Sequence, residues 1–125
     1  MILGIGIDLC KISRINSTLY KFGDRFKKRC FTYNEINKCD RVKNSSACYA
    51  KRFASKEAVS KAIGTGITKL TRFKDIEILR DEKGKPILNA VDGFKKYMGD
   101  LGITKTHVSL SDERNYAIAF AVLET

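Results

Sequence analysis

Ile2-Leu3-Gly4-Ile5-Gly6-Ile7-Asp8 opens the chain, and the reading of this stretch decides the architecture. A short apolar run rich in β-branched residues is a strand, here extended to Leu9 and expected to lie centrally in a sheet. Side chains alternate across a strand, so Gly4 and Gly6 share one face and something is expected to pack closely over it. Further along, Ala50, Ala54, Ala58 and Ala62 recur every fourth residue within a helix predicted from about Ala47 to Ile63. Such a ridge of small side chains lets another element approach closely. Gly64 then stands where a helix C′ residue belongs.

The segments between and beyond these landmarks follow from local signals. Ile12, Ile15 and Leu19 have helical spacing within Ile12 to Tyr20, with Ser13 and Arg14 near the start. Phe22 to Cys30 is basic and amphipathic. Thr32 followed by Glu35 has capping-box spacing and opens a short helix through about Asp40. Lys43 to Ser46 is a polar break. The turn Asp81-Glu82-Lys83-Gly84-Lys85 separates Asp75–Leu79 from Pro86–Leu88 and predicts a hairpin. Val91 to Leu101 is a modest helix. Thr106–Ser111, the turn Asp112–Asn115 and Tyr116–Leu123 form a second hairpin, whose last strand is apolar on both faces. That strand is expected to be covered on both sides, by a helix, a sheet or another subunit. The order of elements gives one α+β domain over residues 1–125, with helices packed on a mainly antiparallel sheet.

At 125 residues the chain can bury a sizeable core without staples. Its charge stands out: 24 Lys and Arg against 14 Asp and Glu give +10. Such a surplus predicts a polyanionic partner (nucleic acid, an anionic membrane, a phosphorylated ligand or an acidic protein) without choosing among them. The cysteines, Cys10, Cys30, Cys39 and Cys48, form no C-x-x-C and are expected to be reduced thiols of a cytosolic protein. A single histidine, His107, argues against a multi-histidine metal site. No run approaches the ~20 apolar residues of a membrane span. The first residues enter a strand pattern without a basic region, so a secretory signal is not expected and the location is predicted to be cytoplasmic.

The chemistry points to three residues. Glu57 and Lys61 lie one helical turn apart on one face, and Asp8 ends the strand pattern. Mg²⁺ is commonly held by one or two carboxylates plus substrate phosphates, so Asp8 and Glu57 can supply two ligands if strand and helix face each other. Lys61 would then reach a phosphate oxygen, and the turn Gly64-Thr65-Gly66 offers backbone N–H groups to a phosphate or ring. Each feature also has a plain structural reading: a solvated Glu–Lys helix pair, an Asp that caps a helix, a glycine that ends one.

Longer motifs decide between these readings. Ile5-Gly6-Ile7-Asp8, the run from Lys51 to Gly66, Gly84-Lys85-Pro86 and His107-Val108-Ser109-Leu110-Ser111-Asp112 stand in one order along the whole chain. Together they resemble holo-[acyl-carrier-protein] synthase, the small single-domain type of 4′-phosphopantetheinyl transferase. The resemblance implies Mg²⁺-dependent transfer of the 4′-phosphopantetheine arm of coenzyme A to a serine of apo acyl carrier protein. Adenosine 3′,5′-bisphosphate is the by-product, and the process served is fatty-acid biosynthesis. It implies Asp8 and Glu57 as metal ligands and Lys61 as the contact to the reacting phosphate. Arg52, Gly64, Thr65, Gly66, Lys85, Pro86, His107 and Ser109 fall on or near the coenzyme A pocket. Many relatives carry a second histidine where this chain has Asp112, so no role falls to one here.

The implied chemistry is phosphoryl transfer, in which positioning and offset of charge do most of the work. Either Glu57 itself or a metal-held water that it orients is expected to accept the serine proton. An acidic carrier protein gives the basic surface a purpose: Arg14, Arg25, Lys28 and Arg29 are the expected docking charges, with Phe22 and Phe26 as apolar anchors. The family is typically a homotrimer with sites at subunit junctions. The rival reading, a nucleic-acid module using the basic segment and stacking on Phe31 and Tyr33, lacks any recognised motif. A catalytically dead scaffold of the same fold is disfavoured by intact Asp8, Glu57 and Lys61.

Overall fold

The computed structural model describes all 125 residues. Strand β1 (Ile2–Lys11) pairs antiparallel with β5 (Tyr116–Glu124), and β5 pairs antiparallel with β4 (Lys105–Asp112). The strand order is therefore β1-β5-β4, which puts β5 in the middle and β1 at an edge. The central position expected for β1 is thus taken by the strand that is apolar on both faces. A second, two-stranded sheet consists of β2 (Ile76–Arg80) and β3 (Pro86–Ala90).

Five helices complete the chain. Helices α1 (Ile12–Phe22) and α2 (Asp24–Cys30) are separated by Gly23, whose positive φ of 52° turns the chain between them. Helix α3 (Tyr33–Arg41) opens with the expected capping box: Thr32 accepts from the Glu35 amide while Glu35 accepts from the Thr32 amide. The long helix α4 (Ser45–Ile63) begins two residues before the expected start, because Asn44 caps it by accepting from the Ala47 amide. It ends at Gly64, which has a left-handed φ of 99°. Helix α5 (Asp92–Asp100) sits between β3 and β4. No helix is long and apolar enough to cross a membrane.

Helix α4 lies across one face of the three-stranded sheet. On β1 this face carries Gly4, Gly6, Asp8 and Cys10, opposite Leu123, Ala121, Ala119 and Ala117 of β5. A Cβ on Gly4 would sit 1.9 Å from the Ala62 carbonyl oxygen, and one on Gly6 would sit 1.9 Å from that of Ala58. The glycine face and the alanine ridge are therefore two halves of one close contact. The opposite face of the sheet is uncovered: Ile5, Ile7, Leu9, Ile118 and Phe120 are between 37% and 61% exposed.

A buried polar network ties α4 to the rest of the chain. The Lys56 ammonium, fully buried, donates to Glu35 Oε1 at 2.7 Å and to the carbonyls of Phe73 and Ile76 at 2.8 Å each. Glu35 in turn accepts from the Ile78 amide at 3.0 Å. Beside it, Glu77 accepts from the Thr32 hydroxyl, Asn34 and Asn89.

The cysteines correct an expectation. Cys39 of α3 and Cys48 of α4 form a disulfide, with Cα atoms 5.4 Å apart, while Cys10 and Cys30 are free and buried. Packing of α3 against the first turn of α4 brings the two sulfurs together, which a spacing of nine residues does not reveal.

Candidate active site

Asp8, Glu57 and Lys61 line one open cavity of about 520 Å³, together with Cys10, Arg14, Phe26 and Phe53. Asp8 lies within β1, three residues before its end, and faces α4 from the glycine-bearing side. The close seat of strand on helix puts the Lys61 ammonium 2.9 Å from Asp8 Oδ1 and 3.1 Å from the Ile7 carbonyl oxygen. Phe53, Glu57 and Lys61 recur every fourth residue and form one stripe of α4.

Two carboxylates, the Lys61 ammonium and the Arg14 guanidinium face this cavity. Burial and the negative charge of Asp8 push the Glu57 carboxyl above its usual range, and Lys61 offsets this only in part. The Lys61 ammonium is hydrogen-bonded to Asp8, and the Glu57 carboxylate has no ion pair of its own. No three His, Cys, Asp or Glu side chains converge anywhere as a metal-binding group. The pair suits a hard cation whose remaining ligands are phosphate and water, the arrangement usual for Mg²⁺.

Arg52 occupies a different side of α4. Its side chain is 2% exposed, its Nη1 donates to the Cys48 sulfur at 3.1 Å, and its Nε has no hydrogen-bond partner. It lines a cavity of about 240 Å³ shared with Lys38, Lys51, Arg80 and Asp112. Burial holds the Arg52 guanidinium below its ordinary pKa. Lys38 and Arg80 were not singled out from the sequence, and Lys51 entered only as the first residue of the long motif. Lys38, Lys51 and Arg80 come from α3, α4 and β2, and nothing local in the sequence shows that they meet.

The remaining expected pocket residues do not converge within one chain. Gly64 and Gly66 both spend their amides on the Ser60 carbonyl, at 3.1 and 3.2 Å, so the turn is first a helix cap and those two N–H groups are engaged. The buried Thr71 hydroxyl donates to the Gly66 carbonyl, and Thr65 donates to the same oxygen at 2.8 Å. Lys85 and Pro86 sit at the β2–β3 hairpin, where Asp81 accepts from the Lys85 amide. His107 pairs with Val122 and Ser109 with Phe120, so both face the uncovered side of the sheet, away from Asp8. There His107 Nε2 lies 2.6 Å from Glu124, whose carboxyl this contact holds below its usual range.

The expected docking residues largely meet. Phe22, Arg25, Phe26 and Arg29 line a groove of about 480 Å³ with Thr18, and Thr18 and Phe26 also line the Asp8 cavity, where Arg14 lies. Lys28 is exposed but lies outside this groove. Phe31, invoked for base stacking in the rival reading, is 1% exposed and packs edge-on against Tyr49, so it offers no face to a base.

Comparison with known proteins identifies the family and the fold. Residues 4–121 match the 4′-phosphopantetheinyl transferase superfamily. The chain is 45% identical over 124 residues to a holo-[acyl-carrier-protein] synthase of Halothermothrix orenii, covering 99% of this chain and 98% of the relative. The crystal structure of a holo-[acyl-carrier-protein] synthase from Neisseria meningitidis superposes with a TM-score of 0.95 at 38% identity and full coverage of both chains. A holo-(acyl-carrier-protein) synthase from Bacillus anthracis, solved in complex with CoA (3′,5′-ADP), gives a TM-score of 0.84 at 40% identity, covering 100% of this chain and 98% of that one. With an acid pair and a lysine seated between a glycine-bearing strand and a long helix, this chain belongs to the holo-[acyl-carrier-protein] synthase family of 4′-phosphopantetheinyl transferases.

Proposed function

We propose that this chain transfers the 4′-phosphopantetheine group of coenzyme A to a serine of apo acyl carrier protein, releasing adenosine 3′,5′-bisphosphate. The observation that carries the reading is the pair of carboxylates on one cavity wall: Asp8, which holds the Lys61 ammonium at 2.9 Å, and Glu57, whose pKa is raised by burial and by Asp8. A pyrophosphate with its counter-cation complements such a group.

In this reaction the serine oxygen forms a new bond to the phosphorus that carries the pantetheine arm. The bond from that phosphorus to the bridging oxygen of the pyrophosphate breaks, and the electron pair leaves with the bisphosphate. Asp8 and Glu57 would hold Mg²⁺, which when bound offsets negative charge on the pyrophosphate. Lys61, half-exposed, would exchange Asp8 for an equatorial phosphate oxygen, where charge must be balanced as the bond breaks. Glu57, directly or through a water it orients, takes the serine proton. Its raised pKa brings it nearer the range suited to a general base.

The nucleotide end of coenzyme A is assigned to the basic cavity around Arg52, whose unpartnered Nε and four cations suit a phosphate. The groove lined by Phe22, Arg25, Phe26 and Arg29, continuous with the reaction cavity through Thr18 and Phe26, is assigned to the acidic carrier protein. The uncovered apolar sheet face is assigned to further copies of the chain in a homotrimer. His107 and Ser109 on that face would then serve a neighbour's coenzyme A, with Lys85 and Pro86 beside it. The activity belongs to the cytoplasm and to fatty-acid biosynthesis, a reading supported by family membership.

Mass spectrometry of an apo carrier protein incubated with this protein, coenzyme A and Mg²⁺ tests the reaction. One added phosphopantetheine per chain is expected. An unchanged mass, with the protein folded and Mg²⁺ present, would sink the proposal.

A further inference from the structure

The basic cavity around Arg52 contains one acid. Asp112, at the end of β4, holds the Lys51 ammonium at 3.0 Å; the Lys51 side chain is 21% exposed and the Asp112 side chain 34%. The pair spans the mouth between the first half of α4 and the β4–β5 turn. The other cations there are differently engaged: Arg80 donates to the Gly84 carbonyl at 2.6 Å, and buried Arg52 keeps one N–H unpartnered. The cavity is therefore built for an anion, yet one of its cations is already neutralised by a carboxylate of the chain itself.

We propose that Asp112 sets the affinity of this cavity for phosphate by competing with the ligand for Lys51. This rests on the reading of the cavity as the nucleotide end of the coenzyme A site. An entering phosphate must share or take the ammonium from Asp112, and it meets the carboxylate's negative charge at short range in a partly desolvated space. The consequence is a deliberately moderated hold on the nucleotide. Both coenzyme A and the departing bisphosphate carry this same phosphate-bearing end, so a cavity without the acid would retain product. Asp112 touches no reacting atom; it acts through Lys51 and is a specificity and release residue.

Titration calorimetry with adenosine 3′,5′-bisphosphate tests this on the intact protein, alongside its inhibition of the transferase reaction. Asp112→Asn should tighten bisphosphate binding by about three-fold or more at low salt, as removal of one nearby like charge predicts. Product inhibition should deepen and KM for coenzyme A fall in parallel. Asp112→Glu, which keeps the charge and the ion pair, should bind as the unaltered protein does. Lys51→Ala and Arg80→Ala should each weaken binding, by about five-fold or more where a phosphate loses a direct cation. If the two cation variants weaken binding but Asp112→Asn leaves it unchanged or weaker, the cavity remains the nucleotide site and the role of Asp112 is overturned. Tightening by Asp112→Glu as well overturns it in the same way. If Lys51→Ala and Arg80→Ala both bind normally, the cavity is not the nucleotide site and both readings fall. Damage to the fold cannot imitate the expected result, since it weakens binding rather than tightening it.

Discussion

Lys56 and Glu57 are neighbours on α4, yet they belong to opposite kinds of chemistry. Lys56 points into a closed network in which its ammonium has three partners and its acid, Glu35, is also fully buried and bonded. Glu57 points into an open cavity where burial and a second acid raise its pKa, and the half-exposed lysine there is paired with that second acid. The difference also shows in the two glutamates nearest these networks. Burial pushes Glu77 up, but hydrogen bonds from Thr32, Asn89 and Asn34 outweigh it and carry the carboxyl below its usual range. Glu57 has burial and a like charge without that compensation. Saturated polar groups hold the fold together, whereas unsaturated ones are where a ligand can gain binding energy.

The sharpest way to break the contrast is Glu57→Gln. Turnover should fall by about a thousand-fold or more, as expected when a charge-stabilising group at a phosphoryl-transfer site is lost. Folding stability should not suffer. The raised pKa means that the folded protein holds a proton the unfolded chain has released. Glu57 therefore subtracts stability as pH rises from the unfolded carboxylate value, near about 4.3, through the raised folded one. Denaturant titrations across that window should show this slope in the unaltered protein and lose it in the variant. A variant as active as the parent would remove Glu57 from the reaction.

Lys56→Ala should do the reverse. It strands Glu35 in the core without its cation, and a cost of about 3–5 kcal/mol is expected for breaking such a buried pair. Chemical denaturation measures it; a loss below about 1 kcal/mol, typical of surface pairs, would show that the network is not closed as described. Reducing the Cys39–Cys48 bond should cost about 2 kcal/mol, a typical value for a short disulfide loop. That loss should appear in the melting temperature; because Cys48 lines the Arg52 cavity and accepts from Arg52, any change in activity should fall on coenzyme A binding, since neither cysteine lines the Asp8 cavity. The smallest effect concerns the surface. Arg25→Glu should slow capture of an acidic carrier protein by about ten-fold at low salt, with the difference shrinking as salt is raised, while coenzyme A affinity stays constant. Stopped-flow association measures this, and a salt-independent defect would remove Arg25 from the docking face.

What could be read in advance tracks how local each signal is. The Thr32–Glu35 box, the Gly64 cap and the turn at Asp81–Lys85 are written in a few consecutive residues, and the elements they bound appear where expected. Glycines on one face and alanines on another announced close packing, but neither pattern named its partner. Asp8, Glu57 and Lys61 were legible through their motifs, while their contact is a product of that packing. Three properties had no local trace: the disulfide between α3 and α4, the edge position of β1, and the convergence of Lys38, Lys51 and Arg80 on Arg52. Each depends on which surfaces meet, and chain spacing carries little information about that. His107 and Ser109 show the same limit differently, since strand alternation places them on the far side of the sheet from Asp8.

The seat of Gly4 and Gly6 on α4 has a consequence for how this enzyme can change. Strand and helix meet there through peptide carbonyls rather than side chains, at a separation a single methyl group would violate. A lesion at Gly6 therefore has no compensating substitution available on α4, because there is no side chain opposite to trim. Any suppressor has to shift the whole helix, and Glu57 and Lys61 travel with it. Stability and catalysis are thus inherited together at this seam, and neither can be tuned there without disturbing the other.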